Sequence, residues 1–172
     1  VVTHGDPRRL MVKFEHPGLS FVVVVLHAPC LSKTKGSGHR PIDDIQTWWT
    51  ETSTRVSKHV ADALAWYLVD ANAPLASTAT DLFGMHHSEP MNAQGHVFEE
   101  FLHTHQLMVP STFEAFHRGS STTWTHSTGS TLRRDYILVS QAARSMVRST
   151  TVLVDHDSTF EHEDHLPVRS EE

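Results

Sequence analysis

The stretch Phe21-Val-Val-Val-Val-Leu26 constrains the fold more than any other segment of the chain. Branching at Cβ restricts valine in a helix, so a run of this kind favours a pleated strand. It lacks polar alternation, which predicts a central strand covered on both faces. It is also far short of the roughly 18 apolar residues that a membrane-spanning helix needs, and no other window approaches that length. Just before it, Arg9-Leu-Met-Val-Lys-Phe-Glu15 alternates at period two and predicts a half-buried strand. Pro17-Gly18 between them predicts the turn of a hairpin.

Further along, Lys33 to Arg40 is polar and contains glycine, which predicts an exposed loop. Ile42, Ile45, Trp49, Val56 and Val60 recur at helical spacing, with Pro41 placed for the first turn. Ala65-Trp-Tyr-Leu-Val69 reads as a second buried strand, ended by Asp70-Ala-Asn-Ala-Pro74. Ser77 to Gly95 is polar and reads as a loop with a short helix. Val97, Phe98, Phe101, Leu102 and His105 then mark one face of a longer helix. Thr122-Thr-Trp-Thr125 and Tyr136-Ile-Leu-Val139 read as strands joined through the turn-rich Ser127-Thr-Gly-Ser130. Thr151-Val-Leu-Val154 reads as another strand, and His156 to Pro167 as a polar loop. Strands alternating with helices predict an α/β (α+β) layered domain with a mixed sheet, one domain over residues 1–172.

The chain carries 20 acidic and 14 basic residues, for a net charge of −6 with its 15 histidines neutral. That balance excludes a protein that coats nucleic acid by bulk positive charge. Protonating every histidine would carry the charge from −6 to +9, so the sign of the surface depends on pH. The histidines are scattered rather than clustered as in a metal-binding tract. The lone cysteine, Cys30, excludes an intramolecular disulfide and a cysteine-based zinc site. With no oxyanion-hole or Cys-His signature beside it, it reads as structural. Most of the four tryptophans read as core residues.

Chemistry-bearing residues fall where the strands should end: His27, Asp70 with Asn72, Asp135, and Asp164-His165. Loops at the ends of sheet strands are where sites are commonly built. Carboxylates, an amide and imidazoles without thiolate suit a hard divalent cation such as Mg²⁺. Together with acid–base histidines they are the parts that phosphodiester hydrolysis needs.

At these residues the sequence resembles the endonuclease/exonuclease/phosphatase superfamily, with its DNase-I-like layered sandwich of mixed sheets flanked by helices. The matching pieces are His27-Ala-Pro29, Asp70-Ala-Asn72-Ala, Thr123-Trp124 with Asp135-Tyr136-Ile-Leu-Val139, and Asp164-His165-Leu-Pro-Val168. Asn92-Ala-Gln-Gly95, followed by Phe101-Leu102, Leu107 and Ser111-Thr112-Phe113, resembles the endonuclease domains of non-LTR retrotransposons. Each piece alone is short enough to arise by chance. Their order over residues 8 to 168 makes them specific.

The resemblance implies roles. His27 would contact the scissile phosphate or assist the leaving group, and Asp70 would orient or activate the attacking water. Asn72 would hold a phosphate oxygen. Asp164, with Asp70 and Asn72, would ligate Mg²⁺ or Mn²⁺, and His165, buttressed by Asp135, would stabilise the transition-state charge. DNA would be the substrate, in an intracellular setting of which the nucleus is one candidate. No membrane contact is implied.

Two departures from the family pattern carry further expectations. The family's early Asn and metal-binding Glu, each after a strand, have no counterpart, since Glu15 and Glu51 fall inside a strand and a helix. The chain is thus expected to lack the domain's N-terminal part, to leave an open edge beside Leu10 to Phe14, and to show little or no DNA nicking on its own. The usual Gly before Asp70 is Val69, and the usual Ser before Asp164 is Glu163, which adds negative charge beside the metal site. Three functional classes follow: a Mg²⁺-dependent DNA endonuclease of retroelement type, a superfamily member acting on RNA, inositol phosphate or lipid head groups, and an inactive remnant.

Overall fold

The computed structural model describes residues 1–31, 41–61, 63–75, 78–156 and 164–172. The expected loop over Lys33 to Arg40 and the substitution at Glu163 lie outside them. Along the chain run β1 (Val2–Asp6), β2 (Arg9–His16), β3 (Leu19–His27), helix α1 (Ile42–His59), β4 (Leu64–Asp70) and helix α2 (Ala93–His105). They are followed by β5 (Leu107–Met108), β6 (His117–Arg118), β7 (Trp124–Thr125), β8 (Thr131–Leu132), β9 (Asp135–Ser140), β10 (Ser149–Val152) and β11 (Val168–Glu171).

Among the described residues the main sheet has the order β1-β2-β3-β4-β9-β5. β3 and β4 are parallel, joined through α1, and the other neighbours are antiparallel. This follows from connection length: a tight turn reverses β2 into β3, whereas parallel neighbours need a crossover segment such as a helix. A three-stranded sheet, β11-β10-β6, and the small hairpin of β7 and β8 complete the described strands.

Both helices cover one face of the main sheet. Ile45, Trp49, Thr52 and Val56 form the buried stripe of α1, and Trp49 packs against Phe98 and Phe101 of α2. Beneath them lie Met11, Val22, Val24, Leu26, Tyr67, Val69, Tyr136 and Leu138, the inward set of four adjacent strands. α1 has acidic Asp43 and Asp44 in its first turn and Lys58 and His59 in its last, matching the helix dipole. α2 is capped by Asn92, whose side chain accepts from the Gly95 amide.

The structure corrects several expectations. The valine run is not covered on both faces: its residues alternate in burial, and Val25 is 36% exposed on the side away from the helices. Only one helix layer lies on this part of the sheet, so a continuous apolar run here marks position in the sheet and not double coverage. The edge of β2 is not open, because β1 pairs with it from Asp6↔Arg9 to Val2↔Val12. No short helix forms in the described part of residues 78–92. The turn at Ser127 to Ser130 closes β7 onto β8 and not onto β9. The final strand β11, unforeseen in a polar segment, is recruited by pairing with β10.

Candidate active site

The site grows from the register of the main sheet. β3 and β4 pair so that His27 stands beside Asp70, and β4 and β9 pair so that Asp70 stands opposite Asp135. Partners directly across strands point to the same face. The three side chains therefore form one row across the sheet, at strand ends and on the face away from the helices. His27 Nε2 lies 3.5 Å from Asp70 Oδ2. His165, from the segment before β11, donates through Nδ1 to Asp135 Oδ2 at 2.9 Å. Val25, Leu68, Ile137, Leu166 and Pro167 form the apolar wall of the cleft that these groups line.

Electrostatics follow from this placement. Burial, together with the facing Asp135 carboxylate, pushes the Asp70 carboxyl above the usual carboxylate range. The hydrogen bond to Asp135 pushes the His165 imidazole up, against the opposing effect of burial. Among the described residues, Asp70, Asp135 and His165 are the group able to hold a cation, each offering one ligand atom within 4.8 Å of the others. The Asp135 carboxylate beside Asp70 makes a place where positive charge is favoured, and oxygen donors without thiolate fit a hard divalent ion.

The other expected residues are close but otherwise engaged. Asn72 adopts a left-handed conformation with φ 50°, and its amide N–H donates to the Asp70 side chain at 3.0 Å in an Asx turn. Its side chain donates to the Ala28 carbonyl at 2.8 Å and accepts from the Cys30 thiol at 2.9 Å. Burial pushes that thiol up, away from reactivity. Asp164 is exposed and accepts from the Trp124 indole at 3.1 Å. It stands outside the three-residue group, though near enough to favour the charged form of His165.

Several supporting residues were given no structural role by the sequence reading. Gln94, fully buried on α2, donates to Pro29 and Ala71 carbonyls and accepts from the Leu31 amide, so it ties the loop after β3 to the loop after β4. Next to it a Cβ on Gly95 would stand 2.4 Å from the Pro74 carbonyl, so only glycine lets the helix approach this loop. These contacts give Asn92-Ala-Gln-Gly95 its physical meaning, and a polar residue on the apolar face of α2 was the signal that could have revealed Gln94. Thr123 accepts with its hydroxyl from the amides of Arg134 and Asp135. Its carbonyl accepts from Leu166, and Trp124 bridges to His165. The Thr-Trp pair therefore clamps the start of β9 to the histidine segment. Arg8, in the turn before β2, lies against the carbonyls of His27 and Ala28.

No family model and no curated protein matches the chain. Solved structures do. A 3′ phosphatase NExo from Neisseria, bound to a product DNA hairpin, superposes with a TM-score of 0.68 at 17% identity, over 96% of this chain and 65% of that one. The endonuclease domain of TRAS1, a telomere-specific non-LTR retrotransposon, gives 0.59 at 15% identity over 94% and 61%. A beta toxin from Staphylococcus aureus gives 0.59 at 17% identity over 95% and 56%. The chain thus spans less than two thirds of the length of these proteins. The fold is DNase-I-like, with mixed sheets flanked by helices.

Proposed function

We propose that this DNase-I-like fold hydrolyses phosphodiester bonds in DNA with Mg²⁺ or Mn²⁺, as an endonuclease of retrotransposon type. The observation that carries the reading is the convergence of Asp70, Asp135 and His165 on one spot, faced by His27. Asp70 and Asp135 would hold the cation, with Asp164 and Asn72 as the neighbouring oxygen donors that the resemblance assigns to it. When bound, the ion offsets negative charge building on the phosphoryl oxygens. Asp70 orients the attacking water and takes its proton. His165, whose charged form Asp135 favours, stabilises the same oxygens. His27, at 55% exposure the most open of the four side chains, protonates the leaving oxygen.

The choice of DNA is supported by the solved 3′ phosphatase with its DNA hairpin, and the retroelement class by the Asn92-to-Phe113 resemblance and the TRAS1 domain. Mg²⁺ held by few protein oxygens binds weakly and keeps most of its waters. The test is therefore plasmid nicking at millimolar Mg²⁺ or Mn²⁺ over long incubation. Slow conversion to open circles is expected, lost with EDTA, in Asp70→Ala and in His165→Ala. Folded protein that gives no product with either cation, or product indifferent to EDTA, overturns the reading.

A further inference from the structure

We propose that Arg8 binds the DNA phosphate next to the one under attack. This rests on the DNA reading above and extends the row of site residues by one strand. The β2–β3 register pairs Arg9 with Leu26, so the next pair is Arg8 with His27, and the His27 amide donates to the Arg8 carbonyl at 2.9 Å. Arg8, His27, Asp70 and Asp135 then follow one another across neighbouring strands on a single face. At about 4.8 Å per strand, the Arg8 backbone stands roughly 10 Å from that of Asp70. That is too far to share one phosphate with it by default, and it suits a neighbour along the same nucleotide strand.

The two consecutive arginines divide their work by alternation. Arg9 points to the helix side, is 6% exposed, and is committed to Asp6, Glu51, Thr52 and the Trp48 carbonyl. Arg134 is likewise committed to Glu89. Arg8 points the other way, and among the described residues no carboxylate pairs with its guanidinium. Its contacts are the His27 and Ala28 carbonyls, at 3.3 and 3.4 Å through Nη1 alone. Its backbone is fixed beforehand, because its amide donates to Asp6 Oδ1 at 2.9 Å. A guanidinium held beside His27, with a side left over and no paired carboxylate among the described residues, is built to receive an anion.

The test is anisotropy of a labelled duplex oligonucleotide in EDTA, where no cutting occurs, over a series of KCl concentrations. Each phosphate contact contributes about 0.9 to the slope of log affinity against log salt. Arg8→Ala should flatten the slope by about that amount, and Arg8→Lys should keep it. An unchanged slope in Arg8→Ala, even with weaker binding, would assign Arg8 a purely structural role and overturn the proposal. Absence of any duplex binding by the unaltered protein would instead defeat the DNA reading itself, and this inference with it.

Discussion

His165 and Asp135 lie 30 positions apart in sequence and share a 2.9 Å hydrogen bond that joins the segment before β11 to the first residue of β9. The carboxylate fixes which ring nitrogen carries the proton and favours the imidazolium. Replacing Asp135 with Asn should lower the His165 pKa in an NMR titration of the ring protons. An unchanged or higher value would mean that the pair does not form in solution.

Asp70 and Asp135 face each other directly across β4 and β9, and like charges in that position oppose folding. The folded-state pKa of Asp70 is raised, so its ionised form is the destabilising one, and the penalty fades as pH falls through that value. Asp70→Asn is expected to stabilise the metal-free protein by about 0.5 kcal/mol at neutral pH. Urea unfolding with and without the substitution, repeated at acid pH, should show the gain disappearing.

Asp6 behaves in the opposite sense. Burial opposes its ionisation, yet the Arg8 amide and the Arg9 guanidinium hold it down at about 2, against 3.8 for a free carboxyl. Its contribution is therefore complete above pH 3.8 and is lost as pH falls toward 2. Allowing for solvent screening, it is worth about 1 kcal/mol. Asp6→Ala should flatten that part of the stability profile, measured by chemical unfolding across the acid range. A variant whose profile matches the parent would dissolve the argument.

Gln94→Leu should cost about 2–3 kcal/mol, because three backbone partners, two of them buried, lose their bonds at once. Gly95→Ala should be destabilising by a similar amount through the clash with the Pro74 carbonyl. Midpoints of urea unfolding check both. Little change in either would show that the loops after β3 and β4 hold themselves.

Much of the main sheet was legible because its cues are local. Alternation marked β2, the valine run β3, and Trp-Tyr-Leu-Val β4, while helical spacing marked α1 and α2. The candidate residues were legible because strand ends are readable from polar breaks after apolar runs. Strand β1 escaped because Val2-Thr-His-Gly-Asp6 has no strong pattern of its own and becomes a strand by pairing with β2. β11 arose the same way on β10. The engagement of Asn72 with Ala28 and Cys30, and of Asp164 with Trp124, depends on side-chain directions that no spacing encodes. Arg8 could be ranked beside His27 only once the register was known.

The buried Gln94 amide has a consequence for how such a cleft can change over generations. It spans the two loops from below, out of reach of solvent, and keeps His27 and Asp70 in register whatever the rim displays. Surface positions around them are thereby free to drift without disturbing that pair. The reverse also holds: one substitution under the floor would misalign the chemistry while leaving the visible surface untouched.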